Sequence, residues 1–245
     1  MTTPQKQQNP KPIGQHLKLN IPKMLESKLI KVRCAICNCG LGEIRVGKDE
    51  PDTRSGMCGS IYCMRMAEWS RMTKDQRIKM SAKRGVGLYF NRNGIANLKD
   101  FPYDGIEWNK SSYLVGDPGT GKTWALSCIV CEALAQGRTA KLINWAWFRG
   151  EVMESYRDGS ETSEMELVRR CTSVDVLCLD DLGTGKESQA ATNLMYLIID
   201  RRYANGSITH ISSNIEPKKI AEVTDKRVAR RILEICKVVV LDEVI

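Results

Sequence analysis

The sequence predicts an α/β fold: an open parallel sheet flanked by helices, occupying the C-terminal part of the chain. Three observations carry this. Strand-length apolar runs alternate with helix-length segments from 112 to 241, the order in which parallel strands need helical crossovers. A glycine-rich loop, GDPGTGKT at 116–123, falls between the first of these strands and the first helix. The strand-length run Val174–Leu179 ends on two carboxylates, Asp180 and Asp181, and its apolar character suits a strand buried on both faces.

Taken in order, residues 1–20 are polar, Pro- and Gln-rich and aperiodic, which predicts disorder. Apolar positions at Met24, Leu25, Leu29 and Val32 allow a short amphipathic helix over 21–31. The arm therefore spans 1–33, a cysteine-rich module 34–63, a basic helix with a linker 64–109, and the α/β domain 110–245. In that domain Ser112–Val115, Ala140–Asn144, Val174–Leu179, Ile208–Ser212 and Val238–Leu241 read as strands. Helices are expected at Lys122–Ala135, Trp147–Tyr156, Thr162–Arg170, Ala190–Tyr203, Pro217–Val223 and Lys226–Ile235, several of them stopped by Gly137, Asp158-Gly159 and Asn205-Gly206. No internal repeat is present.

The chain has 245 residues, 42% apolar and 27% charged, with net charge +8. That length holds one domain of about 150 residues plus a smaller module. No window approaches the roughly 18 uncharged apolar residues of a membrane span. The lysine-rich first 30 residues contain no apolar signal-peptide core. The expectation is a cytoplasmic protein. Residues 1–33 carry seven Lys/Arg against Glu26 alone, and 64–99 are again strongly basic, whereas 100–245 are mildly acidic. Basic arms suit nucleic acid or an acidic protein surface, and a solvated tail looks the same.

Gly116, Asp117, Pro118, Gly119, Thr120, Gly121, Lys122 and Thr123 match the phosphate-loop pattern in full, in its expected strand–helix context. Successive backbone N–H groups can curve around phosphates there, and the helix N-terminus adds a favourable dipole. Lys122 is placed to reach the β/γ-phosphates and Thr123 to ligate Mg²⁺. Asp180, at the tip of the acidic strand, is the second Mg²⁺ candidate, and Asp181 the group that orients the attacking water of ATP hydrolysis. Two aspartates capping the following helix would read the same way. Asn214, just past the strand ending ISS, can reach a γ-phosphate or serve as a turn former. Arg227 and Arg231, four apart, share a helix face with Arg230 beside them. They offer a guanidinium to a neighbour's γ-phosphate or simply a solvated basic face.

As a set, GDPGTGKT at 116–123, VLCLDDLG at 176–183, ISSNIEP at 211–217 and RVARRI at 227–232 resemble the AAA+ helicase-loader group of DnaC/DnaI/IstB-type ATPases. The resemblance covers roughly 85–241 and implies the P-loop NTPase (AAA+/ASCE) sheet. It makes Asn214 the sensor-1 residue, Arg231 the trans-acting arginine finger and Arg227 its companion. Asp181 stands where many AAA+ proteins have Glu, and Arg230 where an acid is common. The chain ends at Ile245, soon after the last strand, so no C-terminal lid domain is expected.

Cys34-x2-Cys37 and Cys58-x4-Cys63, twenty residues apart, have the paired spacing of a structural zinc site, with Cys39 able to replace Cys37. An iron–sulfur cluster or plain reduced cysteines remain alternatives. Trp145, Trp147, Phe148 and Arg149 are candidates for single-stranded DNA contact or for the core. The resemblance implies an ATP-dependent replicative helicase loader. It would bind the hexameric helicase through its N-terminal region, assemble with ATP and meet single-stranded DNA, in a bacterial cell or phage-infected host. The alternatives are an IstB-type transposition helper ATPase on duplex DNA and a small-molecule kinase.

Overall fold

In the computed structural model the described residues are 27–34, 40–47, 53–56, 60–87, 104–183 and 187–242. The chain divides into two compact units, 1–58 and 59–245. In the first, strand β1 (Ser27–Cys34) runs antiparallel to β2 (Gly40–Gly47) and parallel to β3 (Thr53–Gly56), in the order β2-β1-β3. The helix expected over 21–31 is thus replaced from Ser27 by a strand. Ile30, Val32 and Cys34 alternate with Lys31 and Arg33, and that period of two outweighs the looser helical spacing. Cys37, Cys39 and Cys58 lie outside the described residues.

The second unit begins with α1 (Ile61–Arg71) and α2 (Lys74–Ala82). The single helix expected across 64–84 is broken between them. Thr73 accepts from the Gln76 N–H at 3.3 Å, and the Gln76 side chain accepts from the Thr73 N–H at 2.8 Å. This reciprocal capping box starts a new helix. Arg77 donates to the Trp69 and Ser70 carbonyls at 3.0 and 3.1 Å, satisfying carbonyls that the end of α1 leaves open.

Five parallel strands follow: β4 (Ser112–Val115), β5 (Ala140–Asn144), β6 (Val176–Asp180), β7 (Ile208–Ser213) and β8 (Lys237–Val240), in the order β5-β6-β7-β4-β8. β4 and β6 are buried throughout and β7 from Thr209 to Ser213, whereas on the edge strand β8 only Val239 is buried. Tyr113, Leu177, Leu179 and Ile211 face one core, with α4 (Trp145–Ser155), α5 (Glu164–Thr172), α6 (Gln189–Ala204) and α8 (Lys226–Ile235). Leu114, Val176 and Cys178 face the other, with α3 (Lys122–Ala135) and Trp69 of α1. Between β7 and α8 lie a 3-10 turn at Pro217–Lys219 and the short α7 (Ile220–Val223). The expected elements of this domain are all present, with ends shifted by one or two residues.

Two buried polar groups tie the sheet at the end away from the strand C-termini. Arg202, fully buried, donates to Thr209 Oγ1 and to the carbonyls of Cys171, Val174, Asp175 and Ile208. His210, also fully buried, bridges Ser112 Oγ at 2.8 Å and the Trp108 carbonyl at 3.1 Å. At the sheet edge, the Leu142 N–H of β5 donates to the Arg84 carbonyl beyond α2 at 2.7 Å, so that α2 and its exit cover part of an otherwise open strand edge. Among the described residues no helix is long and apolar enough to cross a membrane.

Candidate nucleotide site at the carboxyl ends of the strands

Open parallel sheets bind ligands beyond the carboxyl ends of their strands, and there the phosphate loop, β6 and β7 converge. Gly119 and Gly121 take φ of 91° and 82°, values that an L side chain resists and glycine permits. Their loop turns the chain from β4 directly into α3, so its N–H groups and the α3 dipole face one point. Lys122, only 6% exposed, donates to the Gly116 and Asp117 carbonyls at 2.7 Å each. Burial pulls its pKa down, and the Asp181, Asp180 and Asp117 carboxylates partly oppose this.

One helical residue on, the Thr123 hydroxyl lies 2.9 and 3.2 Å from the two oxygens of Asp180. Asp180 is the last residue of β6 and is 4% exposed. Burial raises its carboxyl above the usual range, against the lowering pull of the Ser212 and Thr123 hydroxyls. The Ser212 hydroxyl donates to Asp180 at 2.5 Å and accepts the Asp181 N–H at 3.0 Å. Thr123 and Asp180 form a hard-oxygen pair beside a phosphate loop, a donor set that fits Mg²⁺.

Asp181 takes φ of 58°, the only positive value on a non-glycine residue among those described. Backbone held in this sparsely used region tends to sit at functional sites, and here the turn aims the carboxylate across the strand ends. Asn144, the register partner of Asp180 on β5, donates its Nδ2 to Asp181 Oδ2 at 3.1 Å. The same amide accepts the Trp147 N–H at 3.2 Å and caps α4. Sequence reasoning missed both Asn144 and Ser212. Each is a polar residue at the C-terminal end of a buried strand, and that position was the available signal.

Asn214 follows β7 directly and is exposed, so it stands at the same end of the sheet. Arg227 and Arg231 do share a face: their guanidinium carbons lie 4.5 and 4.8 Å from the Tyr196 ring centre on α6. Arg231 also pairs with Asp200 at 2.5 Å, and Arg227 with Asp225 at 3.0 Å. Neither touches the phosphate loop of its own chain among the described residues. Trp145 and Phe148 are core residues, 0% and 4% exposed, while Arg149 pairs with the buried Glu187 at 2.7 Å. Trp147 alone of that group is open, 80% exposed. Helical spacing alone could not say which of these four faced inward.

Cys34 and Cys63 are buried, and among the described residues no cluster of three or more metal-ligating side chains occurs.

Comparison with known proteins identifies the family. The family described as IstB-like ATP binding protein matches residues 64–243. The replicative helicase loader DnaC of Escherichia coli (strain K12) is 29% identical over 127 residues, 51% of each chain. DnaC of Buchnera aphidicola subsp. Acyrthosiphon pisum (strain APS) is 28% identical over 116 residues, 47% of each chain. The chain thus spans about half the length of these curated relatives. A crystal structure of the DnaC helicase loader aligns over 59% of this chain and 85% of that one, at 22% identity and a TM-score of 0.49. With a phosphate loop, an acidic strand tip and a five-stranded parallel sheet all within the matched span, the chain belongs to the IstB-like ATP binding protein family, with the P-loop NTPase fold.

Proposed function

We propose that this protein is a Mg²⁺-dependent ATPase that acts as a replicative helicase loader. The observation that carries the ATPase reading is the joined set of Lys122, Thr123, Asp180 and Asp181 at the strand ends. Lys122 would exchange the two loop carbonyls for phosphate oxygens of ATP, which returns a counter-charge to a partly desolvated ammonium. Thr123 and Asp180 would hold Mg²⁺, and the ion would supply charge neutralisation between the phosphates. Asp181, steadied by Asn144, would orient the attacking water; Asn214 would contact the γ-phosphate. Positioning and electrostatics supply most of the rate in such sites.

The loader reading rests on the DnaC relatives, and the partners it brings are a hexameric helicase and single-stranded DNA in the cytoplasm of a bacterial or phage-infected cell. Arg231, with Arg227 beside it, would act on ATP held by a neighbouring copy, after leaving Asp200. A structural zinc on Cys34, Cys37, Cys58 and Cys63, with Cys39 in reserve, is supported by their spacing. The second reading, a transposition helper on duplex DNA, is what an IstB-type resemblance implies, and the test separates the two.

ATP turnover is measured with no DNA, single-stranded DNA and duplex DNA, for wild type and Arg231→Ala. The loader predicts single-strand stimulation that Arg231→Ala loses and that an added Asp181→Asn protein restores. Stimulation by duplex alone supports the helper instead. Turnover insensitive to DNA and to Arg231 overturns both.

A further inference from the structure

Strand β7 ends on two adjacent serines, Ser212 and Ser213, 0% and 1% exposed. Neighbours on a strand point to opposite faces of the sheet. Ile211 faces the core that holds α4, α5, α6 and α8. Ser213 therefore shares that side, and Ser212 takes the α3 side, where Thr123 and Asp180 meet. A hydroxyl has one proton to donate and lone pairs with which to accept. Both serines use theirs in both directions.

Ser212 donates to Asp180 Oδ1 and accepts the Asp181 N–H, and its carbonyl accepts the Leu182 N–H at 2.9 Å. Ser213 donates to the Leu182 carbonyl at 2.7 Å and accepts the Ile215 N–H at 3.0 Å. The pair thus holds the backbone of the turn that leaves β6, and Ser213 also closes the turn that carries Asn214. The Tyr113 hydroxyl pins that second turn further, donating to the Ile215 carbonyl at 2.8 Å. The two turns pack directly on one another, since a Cβ added at Gly183 would lie 2.7 Å from Ile215 Cδ1.

Asp181 sits between these contacts with φ of 58°. Backbone in that region persists only where its surroundings over-determine it, and here the surroundings are the two serines. Alanine would fill the same buried strand end. It could not give and accept hydrogen bonds to two turns at once.

We propose that Ser212 and Ser213 are positioning residues for ATP hydrolysis. Ser212 sets the Asp180 carboxylate and the Asp181 turn, and Ser213 locks that turn to the one bearing Asn214. Asp181 and Asn214 then reach the γ-phosphate in a fixed relation. The proposal rests on the roles given to Asp180, Asp181 and Asn214 in the reading above.

The test uses the full chain, with ATP turnover and Mg²⁺ titration of fluorescent ATP-analogue binding as readouts, at a temperature where melts show each variant folded. Ser212→Ala should raise the Mg²⁺ concentration for half-maximal tightening of the analogue about tenfold, because Asp180 loses the donor that orients it. Ser213→Ala should bind analogue and Mg²⁺ as wild type does and lower kcat about tenfold at unchanged KM. Ser212→Thr and Ser213→Thr keep the hydroxyl and should recover most of each loss. Ser213→Ala/Asn214→Ala should lose less than the product of the two single losses, since one residue acts through the turn of the other. Wild-type kcat in Ser213→Ala, losses that multiply, or threonine variants that fold and restore nothing overturn the proposal. If Asp181→Asn and Asn214→Ala slow turnover while both alanine variants of the serines behave as wild type, the positioning role alone fails. If turnover survives Asp181→Asn and Asn214→Ala as well, the roles given to those residues fail, and the proposal with them.

Discussion

Asn144 serves two elements with one side-chain amide: its oxygen caps α4 and its nitrogen holds Asp181. Asn144→Ala should therefore lose about 1 kcal/mol of stability through the cap and lower ATP turnover roughly tenfold by loosening a group one contact away from the chemistry. Asn144→Asp keeps a capping oxygen but sets a second carboxylate against Asp181. It should melt near wild type yet turn over no faster than the alanine variant. If either variant matches wild-type turnover, the positioning role is wrong. His210 sets a different kind of expectation. A carbonyl accepts from its Nε2, so the proton sits there and Nδ1 accepts from Ser112. Burial pushes its pKa down to about 4 from 6.5. The folded state then binds fewer protons than the unfolded chain between those values. Its contribution is present above pH 6.5 and is lost as pH falls toward 4, by an upper bound of about 3 kcal/mol. Urea melts across that window should show a shallower pH slope for His210→Gln than for wild type.

At the scale of elements, Arg202 does for the base of the sheet what the capping residues do for single helices. Its donors reach carbonyls at the end of α5, before β6 and at the start of β7. Burial lowers its pKa to about 10, so it stays charged at neutral pH, with carbonyl dipoles in place of a carboxylate. Arg202→Met should cost at least about 3 kcal/mol, because several buried carbonyls lose their partner together. Arg202→Lys should recover little of that. An ammonium on a flexible stem cannot span the planar fork of acceptors, and equilibrium denaturation compares the two directly. The sequence offered no sign of this: an arginine at the end of an amphipathic helix reads as solvated until the strand beside it is known.

For the molecule as a whole, the boundary of the ATP-binding unit matters most. From sequence, the α/β domain begins at 110 and the basic helix before it belongs to a connecting region. The structure includes α1 and α2 in the same compact unit as the sheet. Trp69 and Val86 are buried in the α3-side core, and Arg84 pairs with the edge of β5. A protein starting at Gly59 should fold cooperatively and bind ATP. One starting at 110 should expose that core face and a bare strand edge, and so aggregate or melt well below it. Equal melting temperatures for the two would show that α1 and α2 are dispensable.

The sequence alone determined the strand and helix order from 112 onward, the phosphate loop, and the acidic strand tip. Each is written in local pattern: periodicity of two or 3.6, glycines where φ must be positive, and a strand apolar enough for burial on both faces. Only the tertiary structure decided what depends on register between distant strands. Pairing β5 with β6 sets Asn144 opposite Asp180, and pairing β6 with β7 brings Ser212 between the two aspartates. It also decided that Trp145 and Phe148 are core while Trp147 is open, and that Arg231 rests on Asp200. Those contacts join residues about 30 or more positions apart, and no local pattern encodes which of several polar or aromatic neighbours a fold will turn inward.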